Sequence, residues 1–273
     1  MDKVKYFEGI ESYKLLAKKE VGQNFLIDYV ACERIVNLIS PHANETLLEI
    51  GCGAGSLTYF LSQFGNEIDV IDIDEAMLAK VEKDFEHITS MHVKYGNATE
   101  YDYSNYDYII GNLPYYITSL IIEKVLKSGS NLKKCVFMVQ KEAASRLLSS
   151  IGSKDYGPLP ILISLSCKAK REFNVGRNSF VPAPNVDSTV ISFDFSEEVN
   201  KEVAYGTFKL CEKLFLQRRK TLSNNLKRYF GEEIIQRIFT ELKLKPTVRP
   251  EELSPEDFKR IYLITENKKQ ERS

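Results

Sequence analysis

The chain has 273 residues, of which 43% are hydrophobic and 27% charged, with a formal net charge of −1. That length suits one large domain with a small appendage, and the composition is that of a folded globular chain rather than a disordered one. No run approaches the roughly 18 apolar residues of a membrane span, and the mixed charges of the first twenty residues argue against a secretory signal. The five cysteines (Cys32, Cys52, Cys135, Cys167, Cys211) are scattered and contain no Cys-x-x-Cys pair, which suggests neither a disulfide framework nor zinc. The three histidines (His42, His87, His92) suggest no triad or metal site. A cytoplasmic monomer with no metal and no membrane partner is expected.

In chain order, apolar strand patterns fall at Thr46–Ile50, Ile68–Ile73, His92–Tyr95, Tyr106–Ile110, Lys134–Val139, Ala169–Val175 and Ser188–Phe195. Helical patterns occupy 28–39, 56–64, 75–86, 118–127 and 141–150. The alternation predicts an α/β fold with a doubly wound, mostly parallel, seven-stranded sheet, ending in an antiparallel pair. From near Glu197 the pattern is almost wholly helical (199–217, 219–229, 231–242, 255–265), broken at Lys245-Pro246 and Arg249-Pro250. We therefore expect one domain over 1–197 and a small helical domain over 198–273. Residues 201–273 hold 17 Lys/Arg against 11 Asp/Glu, so a basic tail of +6 sits on a body of −7. Such a tail suits either a phosphate-binding face or a solvated helical surface.

Glu49-Ile50-Gly51-Cys52-Gly53-Ala54-Gly55 lies where the first strand meets a helix. The spacing is G-x-G-x-G rather than the G-x-G-x-x-G of dinucleotide binders, and it resembles the first motif of class I methyltransferases. Asp72 and Ile73 end the second strand, where a carboxylate accepts ribose hydroxyls or caps the following helix. Asn97 and Ala98 follow the third strand; an amide there is either an acceptor for a cofactor's adenine amine or an ordinary turn residue.

Asn112-Leu113-Pro114-Tyr115 ends the fourth strand at the carboxyl edge of the sheet, where open α/β folds bind ligands. An adenine amine is a weak nucleophile because its lone pair is delocalised into the ring. The Asn112 side-chain oxygen and the Leu113 carbonyl can accept its hydrogens, Pro114 fixes the backbone direction, and Tyr115 can stack on an extracted base. The chemistry then rests on positioning rather than on a strong base.

These segments resemble the rRNA adenine dimethyltransferase family from about residue 18 to about 260. The resemblance is carried by Gly22-Gln23-Asn24-Phe25-Leu26, Glu49–Gly55, Asn112–Tyr115, Val139-Gln140-Lys141-Glu142, Phe180–Ser188, Gln217–Leu226 and Arg249–Leu253. The Gln217-Arg218-Arg219-Lys220-Thr221-Leu222 run and the Val186-Asp187-Ser188 ending resemble the small-subunit (KsgA) branch more than the Erm resistance branch. The resemblance implies a Rossmann-like class I methyltransferase fold with S-adenosylmethionine as cofactor. It implies cofactor contacts from Gln23, Asn24, Leu26, Gly51, Gly53, Asp72, Ile73, Asn97, Ala98 and Asn112. Phe180 would face the target base opposite Tyr115; read without the family, it is a core aromatic. Arg218, Arg219 and Lys220 would lie on a helix and reach phosphate, with an internal role for Arg219 as the alternative.

The implied partner is small-subunit rRNA in a pre-ribosomal particle, and the implied reaction is dimethylation of two adjacent adenines near its 3′ end. An Erm-type activity on large-subunit rRNA, a binding protein with secondary catalysis, and a dinucleotide oxidoreductase are the competing readings. Two residues depart from the family pattern: Asn97 stands for the usual Asp, and Cys52 for the usual Pro.

Overall fold

The computed structural model describes residues 2–13 and 23–270, with side chains through residue 266. Helix α1 (Lys3–Glu11) opens the chain, capped by the Asp2 carboxylate on the Lys5 N–H, and buries Tyr6, Phe7 and Ile10. The short strand β1 (Phe25–Leu26) follows, then α2 (Tyr29–Val36), capped by Asp28. The alternation expected from the sequence begins with β2 (Leu47–Ile50), α3 (Thr58–Leu61), β3 (Ile68–Asp72), α4 (Glu75–Asp84) and β4 (Met91–Tyr95). It continues through β5 (Tyr108–Asn112), α5 (Thr118–Ser128), β6 (Lys134–Gln140) and α6 (Lys141–Leu147). Helix α7 (Pro158–Ser166) precedes β7 (Lys168–Val175), β8 (Phe180–Val181) and β9 (Ser188–Asp194). Four helices end the chain: α8 (Lys201–Phe215), α9 (Leu222–Leu226), α10 (Glu232–Glu241) and α11 (Pro255–Gln270).

Among the described residues the main sheet has seven strands in the order β4-β3-β2-β5-β6-β9-β7. The β2–β3, β2–β5, β3–β4 and β5–β6 pairs are parallel, and β9 runs antiparallel to β6. From β2 the chain builds outward through β3 and β4, then returns to β2's other side with β5. The carboxyl ends of β2 and β5 therefore flank a topological switch point, the usual ligand crevice of such sheets. Strand β2 is buried at all four positions, as expected for a strand covered on both faces.

Three local differences from the sequence expectation have physical causes. Strand β5 starts two residues later than its apolar pattern, because the N–H groups of Asp107 and Tyr108 both turn to the Thr46 carbonyl. Its end shifts with it, and Asn112 becomes a paired strand residue opposite Met138. Helix α7 is absent from the expectation, and its amino end carries Pro158 and Pro160. Both sit in the first turn, where a proline's missing N–H would have no intrahelical partner. Helix α1 is likewise absent from it, since the charges that hide its pattern lie on its exposed side.

The chain divides into two compact units: Met1–Ala144 with Ala169–Ser196, and Ser145–Lys168 with Glu197–Ser273. The second crossing falls between Ser196 and Glu197. The segment 145–168 joins the helical unit instead, because Tyr156 and Ile161 belong to its core with Leu210, Leu214, Leu222, Phe258 and Ile261. The Tyr156 hydroxyl also donates to the Leu253 carbonyl at 2.9 Å.

Gly111 shows how tightly the sheet centre is packed. It lies between Ile50 on β2 and Phe137 on β6, and a Cβ there would stand 2.6 Å from the Ile50 carbonyl oxygen. Backbone cannot yield as a side-chain tip does. Gly111→Ala is expected to cost roughly 1–3 kcal/mol of overpacking, read as a thermal midpoint several degrees lower.

Candidate active site

Three loops converge beyond the carboxyl ends of β2, β3 and β5: Gly51–Gly55, Asp72–Asp74 and Asn112–Tyr116. Asp72 joins the first two. Its Oδ2 accepts from the Gly53 N–H at 3.0 Å, and its Oδ1 from the Asp74 N–H at 2.9 Å. Asp72 is 9% exposed, and burial raises its carboxyl above the ordinary aspartate range against those N–H donors. Gly51 and Gly53 both take positive φ, 72° and 50°, which carries the backbone past the cleft without a side chain in the way. The Asp74 side chain caps α4 on the Ala76 N–H, so the capping role weighed for Asp72 falls to its neighbour.

Beneath the loop lies Glu49, 1% exposed, whose Oε2 accepts from the Thr58 hydroxyl at 2.6 Å. Burial first, then the Asp72 charge, push its carboxyl up to about 8. In the sequence Glu49 reads only as the glutamate of the glycine motif. A carboxyl raised above its unfolded value stabilises the fold fully below the ordinary carboxylate range, and that contribution is lost as pH rises through about 8. Glu49→Gln is therefore expected to flatten the fall of the thermal midpoint between pH 5 and pH 8.5. An unchanged slope in a pH series of melting curves would contradict this. Cys52, also buried, has its thiol 3.8 Å from Asp72 Oδ2; burial and that carboxylate push it well above the ordinary thiol range. It shapes the loop and is not a nucleophile.

Asn112, the last residue of β5, points its side-chain Nδ2 to the Asn24 carbonyl at 3.4 Å. That contact commits the nitrogen and leaves Oδ1 as the acceptor. The Leu113 N–H donates to the Met138 carbonyl at 3.0 Å, continuing the β6 register into the motif. The Pro114 carbonyl accepts from the Thr118 hydroxyl at 2.9 Å, at the start of α5. Tyr115 is half-buried, its hydroxyl 3.4 Å from that of Ser188; burial raises its phenol. Tyr116 is 60% exposed.

The amino-terminal segment reaches this site through a two-stranded sheet that the sequence did not reveal. In it β1 pairs antiparallel with β8, Phe25 opposite Val181 and Leu26 opposite Phe180. The Ser56 hydroxyl donates to the Leu26 carbonyl at 2.6 Å, and Gln23 Nε2 to Asp74 Oδ2 at 2.8 Å. Gln23, Asn24 and Leu26 thus line one cleft with Gly51, Gly53, Asp72, Asn112, Leu113, Pro114 and Tyr115. Gly22 lies outside the described residues. Phe180 departs from the expected base-facing place: it is 2% exposed, packs in the core behind Leu26, and is not among the cleft-lining residues. It pairs with Leu26 on β1, the strand that follows Asn24.

A second cleft shares Gly51, Asp72, Ile73, Pro114 and Tyr116 with the first and extends to Tyr95, Asn97 and Ala98. Asn97 Oδ1 accepts from the Thr99 N–H at 3.1 Å and the Thr99 hydroxyl at 2.9 Å. The oxygen expected to meet an adenine amine is engaged in a local turn, and Thr99 supplies the partner that the sequence alone did not suggest.

In the helical unit, Arg218, Arg219 and Lys220 occupy the turn between α8 and α9 rather than a helix. Arg218 is committed within that unit: its guanidinium donates to the carbonyls of Lys154 and Ser153 and approaches Glu251 at 3.9 Å. It is a clamp on the 153–154 loop, not a free phosphate ligand. Arg219 and Lys220 are exposed. Between Lys209 and Phe230 the sequence carries seven Lys/Arg and a single carboxylate, Glu212. Among the described residues no cluster of His, Cys, Asp or Glu could hold a metal ion, and no helix is long and apolar enough to cross a membrane.

A family model for ribosomal RNA adenine dimethylase matches residues 14–267. The chain is 34% identical over 261 residues to a ribosomal RNA small subunit methyltransferase A of Malacoplasma penetrans, covering 92% of this chain and 93% of the relative. It is similar to the crystal structure of a dimethyladenosine transferase from Plasmodium falciparum, with a TM-score of 0.75, 28% identity, and coverage of 88% and 96% of the two chains. The structure of the 23S rRNA methyltransferase ErmE aligns with a TM-score of 0.67 at 19% identity, over 89% of this chain and all of that one, a likeness of fold.

Proposed function

Because the chain belongs to the ribosomal RNA adenine dimethylase family, we propose that it transfers methyl groups from S-adenosylmethionine to two adjacent adenines near the 3′ end of small-subunit (16S) rRNA. The observation that supports this reading is that Asn112, its Nδ2 directed to the Asn24 carbonyl, lines the same cleft as Asp72 and the glycine loop.

The residues present fit that cofactor. Asp72 takes one backbone N–H on each oxygen and keeps acceptor capacity on the cleft side for ribose hydroxyls. Gly51 and Gly53 leave room for the chain beside it; Ile73 and Ala98 border the space for the adenine ring, with Asn97 at its edge. Gln23, Asn24 and Leu26 close the other end. Bound here, S-adenosylmethionine supplies an electrophilic sulfonium methyl.

The protein's own contribution is placement. Asn112 Oδ1 and the Leu113 carbonyl accept the two hydrogens of the target amine and turn its lone pair out of conjugation. Pro114 holds the direction of that carbonyl, and the half-buried ring of Tyr115 stacks on the extruded base. No side chain need act as a strong base, because the methylated nitrogen is acidic and sheds its proton late. Phe180 supports this wall from behind.

In this reading the helical unit contacts the RNA, with Arg219 and Lys220 on phosphates. The enzyme acts as a monomer in the cytoplasm on a pre-ribosomal particle. Replacing Arg219 and Lys220 together by alanine is expected to reduce the slope of log affinity against log salt by up to about two phosphate contacts. Isotope-labelled S-adenosylmethionine offered to a mixture of unmethylated small and large subunits tests the substrate assignment. Label confined to the small-subunit rRNA supports it; label in the large-subunit rRNA would instead establish an Erm-type enzyme.

A further inference from the structure

The third glycine of the G-x-G-x-G loop serves a different purpose from the first two. Gly55 has φ of 91°, and a Cβ on it would stand 2.4 Å from the Tyr6 hydroxyl. It borders neither cleft, whereas Gly51 borders both and Gly53 the first. The space that a side chain would fill there belongs to a phenol from α1. The Tyr6 hydroxyl lies 3.3 Å from each of the Ala54 and Gly55 carbonyl oxygens. Lys80, on α4, donates to the same Ala54 carbonyl at 2.9 Å. The Lys80 side chain is 10% exposed and pairs with Asp84 at 2.6 Å. Its ammonium lies 4.8 Å from the Tyr6 ring centre and 5.2 Å from that of Tyr13. Tyr6 itself stacks on Tyr59 at 5.0 Å and meets the edge of Phe85 at 5.9 Å.

We infer that α1 is a clasp on the back of the cofactor loop, with Tyr6 and Lys80 as positioning residues that hold the Ala54 and Gly55 carbonyls. The loop's turn is closed by the Gly53 N–H on Asp72 at 3.0 Å and the Gly55 N–H on the Cys52 carbonyl at 2.9 Å. A peptide plane fixes a carbonyl and the following N–H in opposite directions. Holding the Ala54 carbonyl therefore orients the Gly55 N–H on the opposite side of that peptide, toward the Cys52 carbonyl, and with it the Cys52–Gly53 turn that lines the cleft. The inference rests on the cofactor assignment proposed above.

Tyr6→Phe and Lys80→Met, singly and together, test it in the full-length protein. Amide exchange at Gly53 and Gly55 in the ligand-free protein should accelerate in both variants, while amides within β3 and β5 keep their protection. Calorimetric binding of S-adenosylhomocysteine should weaken about 2- to 10-fold per variant, the range expected for one hydrogen bond. Turnover at saturating cofactor should stay within about twofold, since neither side chain touches reacting atoms. Unchanged loop exchange, or exchange accelerated equally across the whole sheet, would overturn the clasp and leave Tyr6 and Lys80 as ordinary packing. Failure of the wild-type protein to bind S-adenosylhomocysteine would overturn the cofactor assignment instead, and the exchange measurement would then decide the clasp without it.

Discussion

Asn112→Ala is expected to lower the turnover of methyl transfer by about 100- to 1000-fold, the scale seen when one preorganised polar contact to a reacting group is removed. The argument is geometric. The side chain is carried on the last residue of β5, opposite Met138, and its nitrogen is committed to the Asn24 carbonyl. Alanine removes the acceptor that holds the amine and leaves the strand pairing intact. S-adenosylhomocysteine affinity should fall far less than turnover, and affinity for the ribosomal particle should be unchanged. That split separates catalysis from a protein whose task is only to bind, because a binding role would survive the substitution. Asn112→Asp is a sharper companion: it keeps an oxygen but loses the Nδ2 donor to Asn24, so the acceptor is no longer oriented. Turnover close to wild type in Asn112→Ala, measured with labelled cofactor at saturation, would refute the assigned role.

Asp72→Ala should act on the other term. Two hydrogen bonds from ribose hydroxyls to an ionised carboxylate contribute roughly 1.5–3 kcal/mol each, and the same carboxylate fixes the Gly53 and Asp74 N–H groups. A loss of S-adenosylhomocysteine affinity of at least about 100-fold is expected from the two bonds together. Turnover at saturating cofactor should be less affected, provided that saturation is reached. Burial raises the Asp72 carboxyl above the ordinary range. Acidification through its titration should therefore weaken cofactor binding in the wild type, since a protonated carboxyl accepts less well, and should have little effect in Asp72→Ala. Calorimetry across pH on both proteins reads this directly.

The parts of the site legible in the sequence are those whose chemistry is local. The glycine loop, Asp72 and Asn112–Tyr115 each end a strand, and the strand pattern alone puts them on one edge of the sheet. What remained hidden depends on partners distant in the chain. Arg218 looked like a phosphate ligand because its acceptors, the carbonyls of Ser153 and Lys154, lie more than 60 residues away. Phe180 reads as a base-facing aromatic by resemblance, yet its register with Leu26 turns it into the core. Asn97 kept its place at the cleft, but its oxygen turned to Thr99, two residues on. The raised Glu49 carboxyl follows from burial, which a sequence does not display. The fold shows the same division. Strand periodicity gave the seven main strands, whereas the β1–β8 pair is two residues long on each side, too short to produce a pattern.

The most direct test of the central claim is nucleoside mass spectrometry. Purified enzyme and S-adenosylmethionine are incubated with small subunits lacking the modification, and the rRNA is then digested and mapped. The expected product is N6,N6-dimethyladenosine at two adjacent positions near the 3′ end, absent when Asn112→Ala replaces the wild type. A methyl group on any other nucleoside, or no methylation of that rRNA, would contradict the account.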